Sequence, residues 1–326
     1  MSVALVLGDP RDFAPAAALA AGAKERGLRA PIVSAGIVSG PDSALVEPID
    51  VQVLLGRGSP AVREGLALMG LEREILRLRP EAIVVFGPHE VGLAAALVAA
   101  KEGIPLWYAG AGRWAFAPRN LEDIGPPPTD EDLIAVLATG MLSATEFAAT
   151  ALAAARHDVG RIWVTGPLEA ETLERHRDEI EAENACADHD VKPAGYAAAS
   201  VADRSVLPGQ PLPIVDLRDL SYIERMSLAA DASVLVTDDD RMQIEACLLG
   251  VPCLVLAPAS PLRETRGVGA AKRCPADPAS IALAIAEQAA RTQRDWDAPP
   301  MFDADVSARI IALAAPHAAR AASLRD

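Results

Sequence analysis

The chain has 326 residues, more than one compact core usually spans, so two domains are expected. Hydrophobic residues make up 51% and aromatics 4%, so alanine and leucine carry the apolar content, which favours helices over a β-sandwich and argues against a disordered chain. A net charge of −15 with no basic patch argues against nucleic acid as a partner, while an anionic small molecule needs only a local arginine or a helix N-terminus.

Strand-like runs, turn residues and helical patterns alternate along the chain. Residues 3–7 lead through GDPRD into an alanine-rich helix at 14–27, and the loop Gly56-Arg57-Gly58-Ser59 is a weak glycine signal. Residues 83–86 lead through GPHE to a helix at 91–103, and 104–108 lead into AGAGR. A proline-rich turn at 125–132 ends in a helix cap at Thr129 or Asp130. Residues 161–165 lead through GPLE to a helix at 170–184. Residues 187–213 read as loops with at most one weak strand. Residues 234–237 lead through DDDR to a helix at 242–250, 252–256 lead into APAS, and 304–322 form an amphipathic C-terminal helix. This alternation predicts parallel sheets with crossover helices, which bind ligands at the carboxyl ends of their strands.

Cys186, Cys247, Cys253 and Cys274 form no CxxC pair, so a zinc site is not expected, and Cys247 and Cys253 read as core thiols. The opening MSVALVLGDP reads as a first strand rather than a signal peptide. No run of about 18 uncharged apolar residues exists, so no membrane span is expected, and the cytoplasm is the expected location.

Several stretches together resemble the non-hydrolysing UDP-N-acetylglucosamine 2-epimerases. Residues 70–105 (GLEREILRLRPEAIVVFGPHEVGLAAALVAAKEGIP) are similar to a family segment with a helix, "PD.V.V.GD", an alanine-rich helix and "IP". Residues 108–112 (YAGAG) stand where the family has "HVEAG", and Ala144-Thr145 and Val164-Thr165-Gly166 match "FAPT…VTG". Residues 234–256 resemble "LTDSGG.QEEA..LG.PVLVL" at Thr237, Asp238, Gln243, Glu245, Ala246, Leu249, Gly250, Pro252 and Val255-Leu256. About half the chain is covered. The resemblance implies an α/β fold of two Rossmann-like domains in a GT-B-like arrangement, the second reduced by about one βα unit. The boundaries are 1–158 for the N-terminal domain and 159–326 for a nucleotide-binding domain that includes the C-terminal helix. It further implies a nucleotide-sugar ligand, no metal or redox cofactor, and no nucleic-acid or membrane partner. A homodimer stays open.

Departures from the family pattern concern catalysis. The family reaction removes a proton at C2 and expels UDP, then re-adds it after protonation from the other face, which needs positioned acid/base groups. The family's "GD" aspartate aligns with Pro88, and the glutamate of "HVEAG" aligns with Gly110. Residues 118–124 (PRNLEDI) offer Glu122 or Asp123 for the "PEE.NR" motif, and His176-Arg177 is the one match for "HR.EN". The catalytic candidates are therefore His89, in the loop after residues 83–86, and Glu122. The alternatives to an epimerase are a degenerate member that only binds or assembles, and a GT-B glycosyl transferase or hydrolase.

Among binding candidates, Glu245 aligns with the family residue that accepts from the ribose hydroxyls; otherwise it is a glutamate favoured by the helix dipole. Asp238, Asp239 and Arg241 lie where the family binds diphosphate; the simpler reading of the aspartates is a turn and helix cap, which is favoured over a metal site. Arg11 follows the first strand and suits a diphosphate by position. Arg113, with Trp114, suits phosphate and a stacked ring, or else loop packing. Arg263, Glu264 and Arg266 stand near the family's "TERPE" loop.

Overall fold

The computed structural model describes residues 2–36, 40–46, 48–113, 129–207, 209–256, 262–291 and 295–323. Two compact units emerge, one of residues 1–172 with 304–326, the other of residues 173–303.

In the first unit, strands β1 (Val3–Leu7), β2 (Ile32–Ala35), β3 (Val51–Val53), β4 (Ala82–Val85), β5 (Leu106–Ala109), β6 (Gly140–Ser143) and β7 (Ile162–Val164) form one parallel sheet. Its order is β3-β2-β1-β4-β5-β6-β7, so the winding reverses between β1 and β4. Most of these strands are buried along their whole length, which is why they read as continuous apolar runs rather than alternating ones. Helices α1 (Phe13–Glu25), α2 (Pro60–Leu78), α3 (Glu90–Glu102), α4 (Asp130–Leu137), α5 (Glu146–Ala154) and α6 (Leu168–Arg175) follow the strands. One core joins the sheet to α2, α3 and α4 through Ala67, Leu71, Ile75, Val91, Ala95 and Ile134. The opposite core contains Phe13 and Leu19 of α1. Trp107 and Trp163 lie 5.6 Å apart there. Gly140 makes this approach possible, because a Cβ on it would sit 2.3 Å from the Trp107 ring.

The second unit has a smaller parallel sheet of β8 (Ala197–Ser200), β9 (Ile214–Asp216), β10 (Val234–Thr237), β11 (Cys253–Val255) and β12 (Ala271–Arg273). The order β12-β11-β10-β8-β9 places its switch point between β8 and β10. Its helices are α7 (Arg177–Ala182), α8 (Ala185–Asp188), α9 (Tyr222–Ala230), α10 (Asp240–Leu249), α11 (Arg263–Gly267) and α12 (Pro278–Ala289). Among the described residues the second unit's sheet has five strands against seven in the first. All four cysteines are buried thiols that form no disulfide.

Two sequence expectations are corrected. The division falls inside α6, not at residue 158, because β7 is hydrogen-bonded to β6 and closes the first sheet. The C-terminal helix α13 (Val306–Ser323) belongs to the first unit: Val306, Ile310 and Ala314 pack in the core with Phe13 and Leu19. The buried Glu171 carboxylate accepts from Ser307 N (2.6 Å) and Ser307 Oγ (2.7 Å), so it caps α13 from outside the helix. The weak strand allowed in residues 187–213 is β8. Its sequence, AAAS, lacks β-branched residues, yet it lies between β9 and β10 with all three alanines fully buried. Tertiary burial outweighs its weak strand propensity.

Candidate functional site

At the switch point of the first unit, Gly8 ends β1 and the turn Gly87-Pro88-His89 ends β4. Asp12 is 1% exposed, and its Oδ2 accepts from Gly8 N (3.1 Å), Asp9 N (3.0 Å) and His89 Nε2 (3.1 Å). His89 is the N-cap of α3, where its Nδ1 accepts from Gly92 N at 3.0 Å. Because Nδ1 accepts, Nε2 carries the proton and donates to Asp12. His89 therefore lies at the expected place, but both ring nitrogens bind protein groups. Acid/base work there would require breaking one of these bonds.

Arg11 also lies at this edge, 53% exposed, with its guanidinium chelating Asp9 at 2.9 and 3.0 Å. Arg113 lies beyond the end of β5 and is buried against Glu169 in a bidentate pair at 2.8 and 2.9 Å. Its fork thus forms an ion pair inside the protein. Gly110 has φ +76°, and a Cβ there would meet Arg113 Nε at 3.6 Å. The left-handed backbone makes any side chain at this position strained. Trp114, Glu122 and Asp123 lie outside the described residues.

Sequence reasoning missed several polar groups here: Asp12, Tyr108, Asp130, Glu131 and Glu169. Thr129, rather than Asp130, caps α4, with Asp132 completing a capping box. That leaves Asp130 on the first turn, where burial pushes its carboxyl up, partly opposed by His89 and assisted by Glu90. Glu131 is 3% exposed and accepts from Gly112 N at 2.8 Å. The Tyr108 hydroxyl is buried without a hydrogen-bond partner among the described residues, and burial together with Glu131 raises its phenol well above the usual range. The T-x-x-D capping box was the one signal in the sequence for this cluster.

In the second unit the three consecutive aspartates have separate local duties. Asp238 Oδ2 accepts from Ala202 N (2.9 Å), tying the loop after β8 to the end of β10. Thr237 Oγ1 donates to Ser200 O (2.8 Å) and accepts from Asp239 N (2.9 Å). Asp239 is the N-cap of α10 through Arg241 N at 2.9 Å, and Asp240 begins the helix. No group of three or more His, Cys, Asp or Glu side chains suited to a metal occurs among the described residues. Glu245 is 3% exposed and sits in the second turn of α10, too far along for a dipole role at the first turn. Gln243, fully buried, donates to Leu262 O (3.1 Å) and Thr265 Oγ1, fastening α11 to α10. This places Arg263, Glu264 and Arg266 on α11, between β11 and β12 in the chain. Arg266 is half-buried, and its Nε is buried without a hydrogen-bond partner among the described residues. Burial, then Arg273 and Arg263, lower its proton affinity, with Glu264 partly opposing them. His176 lies between α6 and α7, edge-on to Tyr222 at 6.0 Å.

Fold and sites define a class: an α/β protein of two Rossmann-like units with polar side chains gathered at the carboxyl ends of the central strands. No family model matches the chain. In sequence it is similar to a protein of Methanococcus maripaludis named UDP-N-acetylglucosamine 2-epimerase, 23% identical over 292 residues, covering 77% of this chain and 80% of that one. A protein of the same name from Methanocaldococcus jannaschii is 24% identical over 264 residues, covering 66% and 70%. In fold it is similar to the Methanocaldococcus jannaschii UDP-GlcNAc 2-epimerase solved with UDP-GlcNAc and UDP, with TM-score 0.79, 18% identity, and 97% and 100% of the two chains covered. The Rickettsia bellii UDP-N-acetylglucosamine 2-epimerase gives TM-score 0.81, 16% identity, and 98% and 97% coverage. The chain is similar in sequence to proteins named UDP-N-acetylglucosamine 2-epimerase and shares their GT-B-like fold. No described helix is long and apolar enough to cross a membrane.

Proposed function

We propose that the protein binds a UDP-linked N-acetylhexosamine and acts as a 2-epimerase-like isomerase on it. The observation that carries the nucleotide half is Arg266. It is a half-buried guanidinium with an unsatisfied Nε among the described residues, close enough to Arg263 and Arg273 for both to disfavour its charge. Clustered cations are stabilised by a dianion, and a diphosphate supplies one. The N-terminus of α10 is less suited to that task than in the resembling family, because Asp239 already caps it. Glu245 is the candidate acceptor for the ribose hydroxyls. The relatives' names and the complex of the Methanocaldococcus jannaschii enzyme support the choice of UDP-GlcNAc as the test ligand.

For the chemistry, the carboxylates expected at Pro88 and Gly110 are absent, and Asp130 is a partly buried carboxyl at the first unit's site with raised proton affinity. Asp130, His89 and Glu122 are the candidate acid/base groups. A second reading, binding without turnover, is favoured by the enclosed Arg113–Glu169 pair and by the two bonds that hold His89. Incubation with UDP-GlcNAc followed by proton NMR of the sugar tests the proposal. Appearance of the manno epimer supports isomerisation. An unchanged sugar with saturable UDP binding supports the second reading, and absence of UDP binding refutes both.

A further inference from the structure

We propose that a cavity in the second unit, formed where α7, α9 and α10 end, is a binding site for a linear aliphatic diamine, apart from the candidate nucleotide site and independent of that reading. The cavity is about 320 Å³, within the range of small-molecule sites. α9 stops at Ala230, just ahead of β10, and α10 stops at Leu249, just ahead of β11, so the cavity lies toward the amino ends of these parallel strands. The candidate nucleotide residues follow the carboxyl ends of β10 and β11, at the other edge of the same sheet.

The lining combines two kinds of surface. Ile180, Ala230, Leu248 and Leu249 supply apolar side chains, while Glu181, Glu183 and Asp231 supply carboxylates. Glu181 and Glu183 bond no cation among the described residues. Asp231 Oδ2 accepts from the Cys186 thiol at 3.3 Å, a weak donor for a carboxylate. Arg177 also lines the cavity and lies near enough to Glu181 to feel its charge, but its guanidinium is held at 2.6 and 2.9 Å by Glu174, which is not part of the lining.

The helix ends give a separate reason for a cation. An α-helix is electronegative at its carboxyl end, and a Lys, Arg or His in the last turn ordinarily offsets this. None of α7, α9 and α10 has a basic residue in its last turn, and two of them have an acidic C-cap, Glu183 on α7 and Asp231 on α9. Carboxylates at those positions are electrostatically unfavourable unless a cation joins them. A metal ion does not fit, because no group of three or more metal-ligating side chains converges among the described residues. A ligand with an amine at each end of an alkyl chain does fit. Its separated ammonium groups match carboxylates carried on different helices, and its methylenes match Ile180, Leu248 and Leu249.

Calorimetric titration of the full chain with 1,4-diaminobutane at low ionic strength should show saturable one-to-one binding, with a dissociation constant at or below about 1 mM. E181Q/E183Q, which changes only exposed side chains, should weaken it at least about tenfold. A230F fills the cavity without changing any charge and should abolish binding with unchanged circular dichroism. 1-Aminobutane and magnesium chloride should each bind at least about tenfold more weakly than the diamine. E64Q/E72Q removes the same charge from α2 of the first unit and should leave the affinity unchanged, which separates the site from general attraction to an acidic chain. Absence of saturation by about 10 mM diaminobutane overturns the proposal. So does binding that either A230F or E181Q/E183Q leaves intact, that E64Q/E72Q weakens equally, or that 1-aminobutane or magnesium matches.

Discussion

Substitution of Asp12 by alanine tests the architecture of the first unit's site. Asp12 Oδ2 accepts three hydrogen bonds, from Gly8 N, Asp9 N and His89 Nε2. D12A strands three donors at a residue that is itself 1% exposed. An unsatisfied buried donor costs about 1–3 kcal/mol, but Gly8 and Asp9 are only half-buried and water can replace part of the loss. The expected destabilisation is about 2–4 kcal/mol, a large share of a typical total stability of about 5–15 kcal/mol. D12N keeps an acceptor oxygen in place and should cost about half as much. Urea unfolding followed by tryptophan fluorescence suits the test, because Trp107 and Trp163 lie in the first unit's core. The midpoint should fall with the slope unchanged. A D12A loss below about 1 kcal/mol would refute the view that this carboxylate organises the turn.

Other expectations follow from single contacts. R113A deprives the buried Glu169 of its bidentate partner and should destabilise by about 3–5 kcal/mol, with R113K failing to restore a bidentate pair; chemical denaturation of both variants decides it. D239A removes the N-cap of α10 and should cost about 1 kcal/mol, read as a lowered thermal midpoint of the second unit. For Asp130, whose pKa is raised above 3.8 in the fold, the folded state holds the proton more tightly than the unfolded chain. Its contribution to stability is therefore greatest at low pH and is lost as pH rises through the folded value. The stability of wild type minus that of D130N should decline with increasing pH, and an increase would reverse the assignment.

The strand–turn–helix alternation was legible because parallel strands covered on both faces leave continuous apolar runs, as in residues 3–7, 83–86 and 234–237. The alanine strand β8 was not, since burial on both sides rather than propensity makes it a strand. Nor was the placement of α13, which depends on the long-range bonds from Glu171 to Ser307. At the sites, the positions of His89, Arg11 and Arg113 were readable, but their partners were not. Asp12 and Glu169 act across 77 and 56 residues, distances over which local pattern carries no information. In the aspartate run at 238–240 the turn and cap were legible, because an Asp before an amphipathic stretch has a local role.

The central claim is that the second unit carries a nucleotide diphosphate site, and calorimetric titration with UDP tests it most directly. Saturable one-to-one binding is expected, weakened at least about tenfold, or 1.4 kcal/mol, in both R266A and E245A. Absence of binding at millimolar UDP, or binding that neither substitution alters, would contradict the account.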